Sequence, residues 1–521
     1  MKKLILSVVF ALCIAASVLS QPLAVNFGGG LDYTMPKNND MVRLIGGDSR
    51  SMFAIRIDDK DQLYLDQFDA NSMMQSSTSP LTIPSVDGIQ GKFVDLFFID
   101  GKLILFTEVL NNTRKEKTLY AQFIDDRGKI MGETEPIGRL LEQNTAVDFN
   151  VELSSDGEYI FVYYNQPFVK YNEELFYLKV FGSDLEEKYD VDVKLPMNNL
   201  VFSVVQYETN KLGLVYMIAE ITPEKRNKRS NVSAASQFKL IVYDVKADKA
   251  EAYDIKAEKY ELANLIMGTD LSGNVDIYGL MTRKGKVETE GIFHKKFDIT
   301  TRKFISADAK KGYYIFKREE LPEFRNPRVS ERIDQVYNYA LKNVLYLANG
   351  SSVVVMEHQN YWMDSMPDPQ TKQTTYQEYL KFNDILIACT DAQNNMIWMK
   401  RIPKSQKSYN DYGKYSSFYA TVNLDWVMLF YNDNPKNIKN LSKKILDGTK
   451  YSSCFLPDRT GNPVVVSVFA DGDIIGYPMF EKKQKKNIIV PSMITRYGDT
   501  YMAYTQKGVK YKFGTFTISL R

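Results

Sequence analysis

The sequence predicts an all-β protein, a β-propeller of about seven or eight four-stranded blades, and three observations predict it. Apolar residues alternate or come in short runs, and 34 Tyr and 29 Phe supply strand-forming aromatics. Turn signals such as Asp100-Gly101, Asp156-Gly157 and Asn349-Gly350 separate paired runs, as hairpins require. The strand-turn-strand opening also returns about eight times, and internal repetition is the signature of radial or solenoid folds. Packing such sheets radially covers both faces of each and leaves only short edges, whereas eight units are too many for one sandwich.

The chain begins with Met1-Lys2-Lys3, an apolar run from Leu4 to Ala16 and a small, polar stretch ending at Ser20. This pattern predicts a cleavable signal peptide over residues 1–20, with the mature chain starting at Gln21 in the periplasm or outside the cell. The run is too short for a membrane span, and Cys13 lies inside it, where no lipid anchor would be attached. Every later apolar run is broken by charge, Asn or Gly, so no transmembrane segment is expected in the mature chain.

Residues 21–521 read as a single domain. A weak first unit spans Met41 to Phe68. A clear four-stranded one follows in Phe93–Phe98, Lys102–Thr107, Thr118–Ile124 and Lys129–Met131. Later openings lie at Phe149–Tyr164, Val201–Tyr216, Leu262–Leu280, Val344–Glu357, Tyr419–Tyr431 and Met493–Tyr504. Lys510–Leu520 reads as the third strand of the last unit, which Leu23–Phe27 would complete from the other end of the chain. An insert at 319–343 carries the one helical spacing, Ile333, Val336, Tyr337, Ala340 and Leu341 behind a Ser330 cap, predicting a helix over 330–342. Residues 361–375 and 432–451 read as long polar loops.

Composition excludes several chemistries. Lys plus Arg number 66 against 64 Asp plus Glu, and the resulting net charge of +2 gives no field for nucleic acid. Two histidines, His294 and His358, cannot build a multi-histidine zinc site, and neither a nucleophile elbow nor a phosphate-cradling glycine motif occurs. No metal and no cofactor is expected. Acidic loops such as Asp58-Asp59-Lys60-Asp61 lack calcium-loop spacing and read as turns. Beyond the signal peptide, Cys389 and Cys454 read as two buried thiols, with one disulfide as the alternative.

The candidate ligand-binding residues are His358, Asn360, Tyr361, Trp362 and Asp364, where a strand enters a long loop, and Tyr412 in a second aromatic loop. Tyr and Trp beside amides and acids suit a sugar or peptide surface. The competing reading is that Tyr361 and Trp362 cover a sheet edge.

With units such as Glu152-Leu153-Ser154-Ser155-Asp156-Gly157-Glu158-Tyr159, the chain resembles uncharacterised bacterial secreted β-propeller families. It carries neither the WD40 signature nor the double glycine of kelch repeats. The resemblance is architectural and implies binding or scaffolding, with a protein or glycan as ligand. A carbohydrate-active enzyme with an acidic pair at the propeller mouth is the alternative; facing carboxylates would favour it, and a flat aromatic patch would favour binding.

Overall fold

The computed structural model describes residues 23–27, 33–141, 148–154, 157–165, 173–198, 202–209, 214–221, 236–284, 289–305, 312–316, 339–367, 374–439, 441–447, 451–480, 487–497 and 500–518. The proposed signal peptide lies outside them. The described residues form eight antiparallel sheets of four to six strands, one of which adds a short parallel strand, and a two-stranded ribbon.

Sheet 1 comprises Asp40–Gly47, Ser51–Ile57, Leu63–Asp69 and Gln75–Pro80, and sheet 2 comprises Lys92–Ile99, Lys102–Asn111, Glu116–Ile124 and Ile130–Leu141. Sheet 3 runs from Asn150–Leu153 through Ile160–Asn165 and Glu173–Phe181 to Glu187–Asn198; sheet 4 from Phe202–Thr209 through Leu214–Ile221 and Gln237–Asp244 to Lys249–Ile255. Sheet 5 contains Tyr260–Thr269, Val275–Arg283, Thr289–Asp298 and Lys303–Ile305, with Tyr313–Ile315 added. Sheet 6 contains Tyr339–Tyr346, Ser352–Pro367 and Thr374–Thr390, whose far edge takes Met396–Ile402, Gln406–Tyr409 and Cys454–Phe455. Sheet 7 comprises Tyr419–Asn423, Trp426–Asp433, Asn462–Phe469 and Ile474–Pro478. Sheet 8 has Thr495–Tyr497, Thr500–Lys507 and Lys510–Ile518, and its fourth strand is Leu23–Phe27, paired from Leu23↔Ile518 to Phe27↔Gly514. The two ends of the chain therefore share one sheet, in the strand order expected from the sequence.

Local chemistry explains the hairpins. Asp100 and Gly101 both take positive φ, 50° and 74°, between paired Ile99 and Lys102, the twist a two-residue turn needs. The second strands are buried on both faces: Val275–Arg283 is buried through Thr282, and Trp426–Asp433 throughout. Both faces of each such sheet must therefore be covered by neighbours.

Eight core clusters supply that cover, each shared by two consecutive sheets. Phe53 meets Leu105 between sheets 1 and 2, and Phe106 meets Val162 between 2 and 3. Tyr163 and Met217 share the next cluster, then Tyr216 and Ile277, then Tyr278 and Val354. Val355 and Leu429 join sheets 6 and 7, Phe430 and Phe516 join 7 and 8, and Phe68 and Phe513 join sheet 1 to sheet 8 at 4.1 Å between ring centroids. Each such side chain is worth about 1.5–3 kcal/mol on burial, so the sheets are held by their interfaces. First strands of neighbouring sheets also touch, Asp40–Gly47 lying against both Lys92–Ile99 and Thr495–Tyr497.

Three expectations need correction. Of the proposed helix over 330–342, residues 330–338 lie outside the described residues, and Tyr339, Ala340, Leu341 and Lys342 belong to a strand. Ala340 opposes Glu357 and Leu341 opposes Met356, and this pairing overrides a spacing that also suited a helix. Residues 361–367 and 374–375 are strand rather than loop, paired from Tyr361↔Leu380 to Pro367↔Thr374. The segment 432–451 begins in a strand ending at Asp433 and holds two short helices, Pro435–Ile438 and Leu441–Asp447. Asn434 caps the first by accepting from Lys436 N, and Leu441 and Ile445, one turn apart, seat the second in the core of sheets 6 and 7. Cys389 and Cys454 are free and buried. No helix among the described residues is long and apolar enough to cross a membrane.

Candidate functional site

Sheet 6 departs from the four-strand pattern in its length. Ser352–Pro367 and Thr374–Thr390 have 16 and 17 residues, against 8 in the first strand, Tyr339–Tyr346. Among the described residues, the first-strand pairing reaches as far as His358, opposite Tyr339. On its other side it pairs with Gln406–Tyr409, from Phe382↔Gln406 to Tyr379↔Tyr409.

Strand alternation divides the candidate residues between two faces. Asn360, Trp362 and Asp364 share one face with their partners Lys381, Tyr379 and Gln377, and with Lys407 and Tyr409 in the next strand. Trp362 and Tyr379 stack at 5.2 Å and 8° between ring planes. The row continues from Tyr379 to Tyr409 and from Tyr409 to Phe455, each at 6.3 Å. Lys381 Nζ and Lys407 Nζ lie over the Trp362 ring at 5.3 and 5.4 Å, and Lys407 Nζ lies 4.9 Å from the Tyr379 centroid. Trp362 Nε1 donates to Asp364 Oδ2 at 3.4 Å, a long bond.

Tyr361 is on the opposite face, 56% exposed, with Met363 and Tyr376. His358 is buried; its Nδ1 lies 3.2 Å from Asn383 Nδ2, and its ring packs on Tyr339. Tyr412, 89% exposed, sits in the turn after Tyr409 at positive φ. The structure thus brings Asn360, Trp362 and Asp364 together and sets His358, Tyr361 and Tyr412 apart from them. The reading missed Lys381, Lys407, Tyr379, Tyr409 and Phe455, which only strand register delivers to this face.

A second arrangement lies between the first strands of sheets 3 and 4. A cavity of about 590 Å³ is lined by Asp148, Glu152, Tyr163, Gln206, Tyr207 and Glu208 among others. Tyr163 donates its hydroxyl to Glu152 Oε1 at 2.7 Å, and its ring lies 4.0 Å from that of Tyr207. Gln206 Nε2 donates to Glu208 Oε1 at 3.2 Å and is itself held by the backbone of Met267. Burial pushes the Glu208 carboxyl up to about 7, with the Gln206 bond opposing and Glu152 repulsion adding. A larger cavity of about 830 Å³ lies at the first strands of sheets 8, 1 and 2, where Arg43 pairs with Asp95 and covers Phe97. Among the described residues no group of three or more His, Cys, Asp or Glu is placed to hold a metal ion.

No family model matches the chain, and no curated protein matches it in sequence. Among solved structures it is similar to the Dos1 propeller, at 10% identity and a TM-score of 0.45, covering 95% of this chain and 96% of that one. It is also similar to a PL25 ulvan lyase, a polysaccharide lyase, at 7% identity and a TM-score of 0.36 over 88% of this chain and 95% of the lyase. A further similarity is to the WD40 domain of SCAP from fission yeast, at 7% identity and a TM-score of 0.37 over 96% and 99%.

Proposed function

We propose that the eight sheets are the blades of one β-propeller domain spanning residues 21–521, exported behind its N-terminal segment, and that it binds a ligand through the projecting hairpin of sheet 6. The sheet-to-sheet core clusters, including the one joining sheet 8 to sheet 1, support the ring. The row Trp362, Tyr379, Tyr409 and Phe455 supports the binding surface. Flat aromatic rings on a strand framework lose little freedom when a ligand docks, and they offer more contact area than any aliphatic residue. Asn360 and Asp364 add a donor and an acceptor beside the rings. The two long strands continue past His358, the residue opposite Tyr339, and pair there with each other and with Gln406–Tyr409.

A glycan array probed with wild-type protein and Trp362→Ala tests this reading. Saturable binding without turnover, lost in the variant, is the expected result; equal binding by both proteins contradicts it.

One observation favours a second reading, a carbohydrate-active enzyme: Glu152 and Glu208 line the same cavity, and Glu208 is held near the neutral range where a carboxyl group can both give and take a proton. Release of sugar products from a polysaccharide panel, abolished by Glu208→Gln, would establish this second reading in place of simple binding.

A further inference from the structure

We infer that the hairpin face of sheet 6 selects an acidic polysaccharide, its sugar rings lying on Trp362, Tyr379 and Tyr409 and its carboxylate or sulfate groups meeting Lys381 and Lys407. This rests on the reading of that face as the binding surface and names the ligand class it takes.

The two lysines carry the inference. They stand directly opposite each other on neighbouring strands, Lys381↔Lys407, on the same face as the ring row. Like charges placed opposite one another in a sheet repel, so the pair weakens the hairpin unless an anion lies between or above them. No carboxylate among the described residues lies within ion-pair distance of either. Both ammonium groups instead rest over the rings of Trp362 and Tyr379. Such contacts are weak where water reaches them, so an arriving anion can draw the lysines off the rings at little cost. Among the described strand residues of this face the one acid is Asp364, which lies further along the hairpin and is engaged by the Trp362 indole.

The rings favour a sugar polymer over other polyanions. The Trp362 and Tyr379 planes lie 8° apart, Tyr409 is tilted by 52° to Tyr379, and the three rings form a row across three strands spaced about 4.8 Å apart. Such a row suits a chain of flat, C–H-faced rings. An acidic peptide has charge but no ring to stack, and the balanced net charge of +2 provides no long-range field for nucleic acid.

The experiment titrates the full mature chain with polygalacturonate, with a sulfated glycan, with a neutral β-glucan and with poly-glutamate. The expected result is binding of a carboxylated or sulfated glycan that weakens on the order of tenfold between low and high salt. It should fall by about tenfold or more in Lys381→Gln/Lys407→Gln and in Trp362→Ala, with Tyr361→Ala on the opposite face unchanged. Matching thermal melting curves establish that each variant is folded. Equal binding of the neutral glucan, lost with Trp362→Ala and kept by the lysine variant, overturns the acidic class and leaves the face standing. Binding indifferent to all of these substitutions overturns the face itself. Poly-glutamate binding as tightly as the glycans, or no binding of either acidic glycan, also overturns the inference.

Discussion

Lys404 and Glu357 form an ion pair at 2.6 Å with neither side chain exposed. Lys404 Nζ also donates to Phe382 O at 3.1 Å and to Gln406 Oε1 at 2.9 Å, while Glu357 Oε2 accepts from Ser417 and Gln359. Burial pulls the Lys404 ammonium below the usual lysine range, against the attraction of Glu357. The pair sits where the strand along Thr374–Thr390 changes from Met396–Ile402 to Gln406–Tyr409. It therefore fixes the break that delivers Lys407 and Tyr409 to the hairpin face.

Removing one partner exposes that role. Lys404→Met leaves Glu357 buried with, among the described residues, only Lys342, 3.9 Å away, as a cation, and should cost about 3 kcal/mol or more of stability. Adding Glu357→Leu should restore part of the loss, because an apolar pair needs no solvation. Chemical denaturation of the single and double variants checks this. A single variant as stable as the parent would contradict the assignment.

Glu208 gives stability a pH dependence of defined sign. Its folded carboxyl is raised to about 7 by burial, above the ordinary value of 4.5, so its neutral form favours folding. That contribution is complete below the unfolded value and is lost as pH rises through about 7. Glu208→Gln should therefore gain up to about 2 kcal/mol on the parent above neutrality and little at acid pH. Melting curves across that range read the difference, and a gain confined to acid pH would be the wrong sign.

The joined chain ends should act as a clasp. Leu23–Phe27 completes sheet 8, Met35 N donates to Val509 O at 2.7 Å, and the Tyr33 ring packs on Tyr511 and Phe68. Deleting residues 21–39 should remove on the order of 5 kcal/mol and lower the whole unfolding transition as one step. Calorimetry with an unchanged melting temperature would refute the clasp.

Burial pushes the thiols of Cys389 and Cys454 up to about 12. Neither should be thiolate enough to react with a disulfide reagent at mildly alkaline pH until the chain is denatured, when both should react. Rapid labelling of the folded protein would contradict this.

The sheets were readable because their hairpins announce themselves: Asp100-Gly101 between apolar runs has one physical solution, and the clasp strand was legible because sheet 8 lacked a fourth member. The projecting hairpin was not. Its strands are exposed on the Tyr361 face and half-buried on the Trp362 face, so Tyr361, Trp362, Met363 and Asp364 carry no apolar period and read as loop. Asn360, Trp362 and Asp364 were named as candidates from composition, whereas the placing of Lys381 and Lys407 beside them is visible only through register. Glu152 and Glu208 likewise come together only because the first strands of sheets 3 and 4 line one cavity.

Amide hydrogen exchange on residues 21–521, with and without a saturating acidic polysaccharide, separates the hairpin face from the Glu152–Glu208 cavity as the binding site. Docking on the hairpin gives new protection in residues 360–364, 377–381 and 407–409, with no change around residues 150–153 and 204–209. Protection centred on Glu152 and Glu208, with the hairpin unaffected, would contradict it.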